Sequence, residues 1–491
     1  MTGCLIFASV KNNEQYQVVI GLEVHAQLLT KTKLFSGDFI AFGADPNTQV
    51  SPVSLAHPGT LPVMNKEVIE LALRLGIALN CTINRHTYFA RKNYFYPDLP
   101  KGYQVSQHTE PVCIGGYLDI QTTAGEKKIQ LNRIHIEEDA GKSIHDLEEN
   151  YSSIDLNRAG TPLLEIVTEP CMHNSEEAFV FLTALRKLLR WINVCDGNME
   201  EGSMRCDANI SIRPMGEIKL GTRVEVKNLN SIRNVKRAID AEVERLIQIT
   251  ENNETILQQT RSFDADKGTT FALRSKEEAD DYRYFPEPDL PPFYISEKHI
   301  ESIKAAMPML PAALQQKYKE AYGLSEYDVS VICSDKDDAA YYEALITGNA
   351  HNKAAANWML GPLKAYCNEH NISIAQFPLK PAQVAALIHF TESGKISFNI
   401  ASTKILPAMI TEGGGEPLSI ATKMNLLQEA DESTVEQWVK ETLASMPQKV
   451  KEYKGGKKNL IGLFAGQVKK LSGGKAPMPL VNKFLEQHLN Q

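Results

Sequence analysis

Apolar and polar residues alternate along several stretches of the first 295 positions, and a period of two predicts strands. From Val18 to Leu28, Ile20, Leu22, Val24 and Ala26 fall on one face, and Gly21, Glu23, His25 and Gln27 on the other. Asp207 to Arg213 repeats the arrangement, with Asp207, Asn209, Ser211 and Arg213 on its polar face. Arg223 to Lys227 does so again, grouping Arg223, Glu225 and Lys227. Strands that are apolar on one face only suit an antiparallel sheet backed by helices. The helical period appears over Asn65–Asn80, Ser175–Asn193 and Ser231–Thr250, with Asn65, Ser175 and Ser231 expected as N-caps.

Past the proline-rich segment 286–292 the pattern becomes helical almost throughout. The expected class is therefore α+β. A mostly antiparallel sheet domain over 1–295 precedes an all-α domain over 296–412, with Trp358, Leu360 and Leu363 in its core. Gly413-Gly414-Gly415 then reads as a flexible joint to a small helical tail over 413–491. In that tail Leu460, Leu463, Phe464, Val468 and Leu471 are expected to form the inward stripe. Two extended aromatic segments echo each other: Arg91 to Tyr103, with Tyr94-Phe95-Tyr96-Pro97, and Asp280 to Leu290, with Tyr282-Arg283-Tyr284-Phe285-Pro286. Their prolines exclude a central strand. They would either stack on a base or nucleotide ring or cover a sheet edge.

A chain of 491 residues exceeds one core, and 43% hydrophobic with 23% charged residues is ordinary globular composition. A net charge of -8 excludes a wholesale nucleic-acid coat and leaves room for a local basic patch. The tail supplies one: Lys449, Lys451, Lys454, Lys457, Lys458, Lys469, Lys470, Lys475 and Lys483 face only Glu452 and Glu486. The eight cysteines form no CxxC pair, which fits a reducing cytoplasm rather than a zinc ribbon or redox dithiol. Met1–Val10 lacks a basic leader pattern, and no apolar run is long enough for a bilayer, so a cytoplasmic protein without membrane spans is expected.

The candidate chemistry is densest at Ile134 to Lys142, where Glu137, Glu138 and Asp139 follow one another. Adjacent carboxylates repel, and burial is costly unless a metal ion, a lysine-bridged phosphate or solvent relieves them. Ala140-Gly141-Lys142-Ser143 resembles the end of a Walker A loop, but Ile136 occupies the position of its first glycine, so this is not a P-loop. HExxH, GxSxG and a Ser-Gly-rich amidase nucleophile loop are all absent. What remains is an oxygen-rich set with one imidazole: Glu23, His25, Glu137, Glu138, Asp139, Asp207 and Glu225. Such a set favours Mg²⁺ and admits Mn²⁺ or Zn²⁺. Mg²⁺ would bridge nucleotide phosphates, with Lys142, Arg223 or Lys227 neutralising the remainder. Strict alternation places Glu137 with Arg133 and His135, and Glu138 with Ile134 and Ile136. Either the strand ends or bulges before Glu138, or Glu137 is the inward acid.

The segments Val19 to Leu28, His57 to Pro62, Arg91 to Pro97, Ile134 to Lys142, Asp155 to Pro162, Met199 to Asn209, Lys227 to Asn230 and Asp281 to Pro286 together resemble the GatB family, the B component of the aspartyl/glutamyl-tRNA amidotransferases. From Gly394 to the C-terminus the chain resembles that family's YqeY-like tail domain, so nearly the whole chain is covered. The resemblance implies a ligase of protein biosynthesis. With ATP it phosphorylates the side-chain carboxylate of Glu-tRNA(Gln) or Asp-tRNA(Asn), and ammonia then displaces the phosphate. It also implies a heterotrimer, in which an amidase partner (the A component) makes ammonia from glutamine and a small C component wraps both. By motif, Glu23, His25, Glu138 and Glu225 match the family's metal positions, with Glu137 one step behind them. The catalytic set expected on this basis is Glu137, Glu138, Lys142 and Asp207, and Arg223, Lys227 and Lys142 are expected at the nucleotide. Glu200 and Glu201 are further candidates for the cavity. Lys454, Lys457, Lys458, Lys469, Lys470 and Lys475 are expected to meet the tRNA backbone by shape. Some members carry zinc-binding cysteines where Ser36, Asp38, Ser51 and Ser54 stand here, so no structural zinc is expected. A tRNA-binding scaffold without its own chemistry and a free-standing metal-dependent hydrolase are the alternatives. The paralogue specific for Glu-tRNA(Gln) carries a large insertion that this chain lacks after Glu278.

Overall fold

The computed structural model describes residues 15–145, 150–275, 282–347, 351–427 and 431–490. The opening segment Met1–Val10, and Asp280 and Asp281 of the second aromatic segment, lie outside the described residues. The chain divides into two compact units, Met1–Leu310 and Pro311–Gln491.

The first unit is built on a ten-stranded sheet. Its strands are β1 (Tyr16–Gln27), β2 (Thr82–Ile83), β3 (Cys113–Ile114), β4 (Tyr117–Thr122), β5 (Gly125–Glu138), β6 (Pro162–Thr168), β7 (Met204–Pro214), β8 (Val224–Leu229), β9 (Gln259–Asp264) and β10 (Thr269–Ser275). The spatial order is β10-β9-β8-β7-β1-β6-β5-β3-β2, with β4 hairpinned onto β5. Every neighbouring pair is antiparallel except β8 with β9. In β1 the alternation holds: Ile20, Leu22, Val24 and Ala26 are buried, and the intervening polar residues are half-buried on the other face. Helices α2 (Ser175–Trp191) and α3 (Ile232–Glu251) pack on each other; α2 also lies on β4, and α3 on β7 and β8. Helix α1 (Lys66–Ala78) packs at the β5 end. Asn65 and Ser231 cap α1 and α3 as expected. The cap of α2 is Asn174 rather than Ser175, because the Asn174 side chain is the one that accepts the N–H of Glu177 (2.8 Å).

Outside this sheet, Phe285–Pro286, Ala90–Asn93 and Tyr103–Ser106 form a three-stranded sheet of their own. The two aromatic segments therefore pair with each other, Phe285 opposite Arg91 and Pro286 opposite Ala90. Pro286 sits at an edge, where no ladder donor is lost. Arg91 fixes the pairing with a fork to the buried Glu287, both N···O distances being 2.7 Å, while its guanidinium lies 4.2 Å from the centroid of Tyr103.

The second unit is helical. Tyr318, Tyr342, Trp358 and Leu363 are buried in it, as is Met359, and Leu360 is only half-buried. Gly413, Gly414 and Gly415 all have positive φ, in a turn so close to Gln383 that a Cβ on Gly414 would clash with its Nε2. The tail helices α4 (Glu432–Ser445), α5 (Pro447–Lys454), α6 (Ile461–Leu471) and α7 (Met478–Asn490) enclose a core that includes Val435, Phe464, Val468, Val481 and Leu485. Leu463 and Leu471, expected inside, are 47% and 49% exposed. The inward arc of α6 is Ile461, Phe464, Ala465 and Val468; Leu463 lies off it beside Lys470, and Leu471 is the last residue of the helix. No helix of the described residues is long and apolar enough to cross a membrane.

Removing one partner of a buried fork leaves the other as an uncompensated charge. Arg91→Ala is expected to destabilise the first unit by about 3 kcal/mol, read as a lowered urea midpoint, and Arg91→Lys to recover only part of it because an ammonium cannot make the fork.

Candidate active site

Residues opposite one another across an antiparallel ladder share a face. Glu165 of β6 stands opposite both His25 of β1 and His135 of β5. On the other side of β1, His25 is opposite Arg205 and Glu23 is opposite Asp207 of β7, and Asn209 of β7 is opposite Glu225 of β8. Five strands thus bring one row of charged side chains onto the face away from the core.

Within the row the acids form two groups. His25 Nε2 lies 3.3 Å from Glu165 Oε2 and 3.7 Å from Glu137 Oε1, and His135 Nε2 lies 3.5 and 3.6 Å from the same two carboxylates. Ser106 Oγ donates to Glu137 Oε2 at 3.2 Å. In the second group Lys227 Nζ donates to Asp207 Oδ2 (2.5 Å) and lies 3.4 Å from Glu225 Oε1. Asn209 Nδ2 donates to Glu23 Oε1 and Thr260 Oγ1 to Glu225 Oε2, each at 2.9 Å. One donor atom each from His25, Glu137 and Glu165 lies within 4.8 Å of the others, and the same holds for Glu23, Asp207 and Glu225. A cavity of about 620 Å³ opens over this face, lined by His25, Glu137, Glu165, Arg205, Asp207 and Lys227 among others.

The interleaved charges set the protonation states. Burial by itself would discharge His25, but the Glu165 hydrogen bond and the charges of Glu165 and Glu137 outweigh it and raise the imidazole to about 9. Burial likewise opposes ionisation of Glu165, yet His135, His25 and Lys92 hold it well below the usual carboxylate range; Glu137 is lowered by His135 and Lys92. Glu23 goes the other way, raised by burial and by the charges of Glu165 and Glu225. Burial also works against Lys227, which Asp207 and Glu225 keep above the ordinary lysine value.

Glu138, expected beside Glu23, His25 and Glu225, lies apart from them in this structure. β5 runs on through Glu138 without a bulge there, pairing Leu163 with Glu137 and Pro162 with Glu138, so consecutive acids project to opposite faces. Glu138 is ion-paired with Lys101 and accepts the Val105 N–H at 2.9 Å. It lines a separate cavity of about 200 Å³ with Lys33, Phe35 and Lys101. The third acid, Asp139, accepts from Arg205 Nη2 (2.9 Å) and Gln27 Nε2 (2.8 Å). Gly141 is required by crowding, since a Cβ there would lie 2.9 Å from the carbonyls of both Asp98 and Asp155.

Of the other expected residues, Lys227 and Asp207 line the large cavity, whereas Lys142, Arg223, Glu200 and Glu201 are exposed and do not. Lys142 sits on a separate hairpin, Lys142–Ile144 with Ser153–Asp155, and Arg223 just precedes β8. Glu165, Lys92 and Arg205 join the site unexpectedly. A lone acid in the apolar run Pro162-Leu-Leu-Glu-Ile-Val-Thr168 is the signal for Glu165, and two-residue spacing from Asp207 is the signal for Arg205. At the four positions considered for zinc, Asp38 Oδ2 accepts from Ser36 and Ser51 at 2.9 Å and also from Ser54. In the tail Lys449 and Lys457 pair with Glu452, and Lys475 donates to Asn425. Lys458 lies over Tyr453, Lys454 is exposed, and Lys469 and Lys470 border a shallow groove with Gly473 and Gly474.

Residues 18–301 match the family described as GatB/GatE catalytic domain, and residues 340–489 match the GatB domain. The B subunit of the aspartyl/glutamyl-tRNA(Asn/Gln) amidotransferase of Cupriavidus metallidurans is 48% identical over 482 residues, covering 97% of this chain and 100% of the relative. The proteins of the same name from Geotalea uraniireducens and Synechococcus sp. are 48% and 45% identical, each covering 97% of this chain and 100% and 98% of the relative. Similarity of this extent, carried by both units and by the strands that build the charged row, places the chain in the GatB family, the B subunits of the aspartyl/glutamyl-tRNA(Asn/Gln) amidotransferases.

Proposed function

We propose that the charged face of the sheet is where ATP activates the side-chain carboxylate of Glu-tRNA(Gln) or Asp-tRNA(Asn) for amidation. The chain is the GatB component of a glutamine-hydrolysing, tRNA-dependent amidotransferase. The observation that carries the site assignment is the pair of neighbouring donor groups, His25-Glu137-Glu165 and Glu23-Asp207-Glu225, beside one cavity.

A carboxylate is a poor acyl donor. Its attack on the γ-phosphorus of ATP expels ADP and leaves an acyl phosphate; ammonia then adds at the acyl carbon, the C–O bond breaks and phosphate departs. Both steps bring anions together. Two oxygen-rich donor groups containing one imidazole fit Mg²⁺, which when bound would supply the positive charge that lets phosphate and carboxylate approach. Lys227, Arg205 and Lys92 are the side chains positioned to neutralise phosphoryl oxygens, and Asp139 orients Arg205. With no amidase nucleophile loop in this chain, ammonia comes from a separate amidase partner, and a small third protein completes the heterotrimer. The tail lysines, Lys469 and Lys470 foremost, are assigned to the tRNA backbone. The loop around Asp38 is read as closed by hydroxyl–carboxylate hydrogen bonds in place of zinc.

In the reconstituted trimer assayed on both misacylated tRNAs, Glu137→Gln and Glu165→Gln are expected to lower ATP-dependent amidation about a hundredfold while tRNA binding stays within about twofold. Amidation at wild-type rate in both variants would remove the site assignment. A proton on His25 competes with a metal for the same nitrogen, so Mn²⁺ affinity is expected to rise with pH by up to about tenfold per unit and to level off above about 9. A flat titration between about pH 7 and 9 would mean that the imidazole is not a ligand. Lys469→Glu with Lys470→Glu is expected to raise the KM for tRNA and to flatten its salt dependence, leaving the KM for ATP unchanged.

A further inference from the structure

Lys92 apart, the paired aromatic segments have no role in the carboxylate chemistry, yet one of their rings opens onto it. Tyr94 is half-buried and lines the 620 Å³ cavity together with Lys92, His25 and Glu137. Tyr282 meets it edge-on, with ring centroids 6.1 Å apart and planes at 74°. Tyr284 continues the cluster at 6.1 Å and 69° from Tyr282, and its other contact is a flat stack on His108 at 4.0 Å and 8°. Lys92 Nζ lies 5.0 Å from the centroid of Tyr282 and 6.0 Å from that of Tyr94.

The backbone is strained to hold this arrangement. Arg283, between the two tyrosines, has φ +44°, a conformation that residues with a Cβ rarely adopt and that recurs at binding sites. Asn93 secures it: its Nδ2 donates to the carbonyls of Arg283 (2.8 Å) and Tyr282 (3.2 Å). Packing needs no such constraint, since an aromatic cover for a sheet edge would bury its rings. Here the cluster ends in a ring on the cavity wall, beside the cations assigned to phosphate.

We propose that Tyr94, braced edge-on by Tyr282, is the stacking surface for a nucleobase at the rim of the charged cavity. The proposal rests on the nucleotide chemistry assigned to that cavity. A planar base reaches the site from two sources, ATP or the 3′-terminal nucleoside that carries the aminoacyl group, and both present the same π-face. Tyr94 would hold the base while Lys92, Arg205 and Lys227 hold the phosphates. The hydroxyl is dispensable in this role and the ring is not.

The test uses the reconstituted trimer with Tyr94→Phe and Tyr94→Leu. Amidation by the wild-type trimer is the reference; its failure would count against the proposed function, independently of the stacking role. Stacking by ATP predicts that Tyr94→Leu raises the KM for ATP about tenfold, that inhibition by inorganic tripolyphosphate is unchanged because it has no base, and that Tyr94→Phe stays near wild type. Stacking by the 3′-terminal base predicts the same pattern in the KM for aminoacyl-tRNA, with ATP unaffected. The proposal is overturned if neither KM moves, if ATP and tripolyphosphate weaken equally, or if Tyr94→Phe is as impaired as Tyr94→Leu.

Discussion

Charge compensation between facing strands is the constraint on which the rest of this protein depends. At an effective dielectric constant of about 20, two bare carboxylates about 4 Å apart repel by about 4 kcal/mol. The sheet places Glu23, Glu137, Glu165, Asp207 and Glu225 side by side on one face, so it tolerates them only because His25, His135 and Lys227 stand between them. Each of these side chains bridges two acids rather than one: His25 and His135 both reach Glu137 and Glu165, and Lys227 reaches Asp207 and Glu225.

The same register separates two environments. Because β5 pairs regularly from Arg133 to its end, Glu137 enters the large cavity and Glu138 turns to Lys101 in a smaller one. Asp139, beyond the strand, is drawn back to Arg205 and Gln27. Three consecutive acids thus have three different partners, which resolves their mutual repulsion without any single counter-ion. The small sheet then closes one side of the large cavity, since pairing of Phe285 with Arg91 brings Tyr282 against Tyr94 and leaves Lys92 facing Glu137 and Glu165.

Much of this was written locally in the chain. Period-two alternation identified β1, β7 and β8 and the polar faces of Glu23, His25, Asp207 and Glu225, because a strand with one buried face must repeat its pattern every second residue. The change to helical periodicity after the proline-rich segment gave the α+β class, and the basic excess marked the tail. Eight ordered segments sufficed to indicate the family. Glu165 escaped because a single acid in a run of apolar residues carries no periodic signal, and Lys92 because it lies in an aromatic segment that reads as a loop.

What the sequence by itself determined is which side chains share a strand face and which family the chain resembles, both being functions of residue order alone. Which strands are neighbours, and hence which acid meets which cation, was decided only by tertiary structure. Strand order β7-β1-β6-β5 sets Arg205, His25, Glu165 and His135 in line, although they are far apart in the chain. Which of Glu137 and Glu138 joins the charged row turned on whether β5 bulges just before Glu138. A bulge depends on the partner strand's hydrogen bonds, which the order of residues in β5 does not contain.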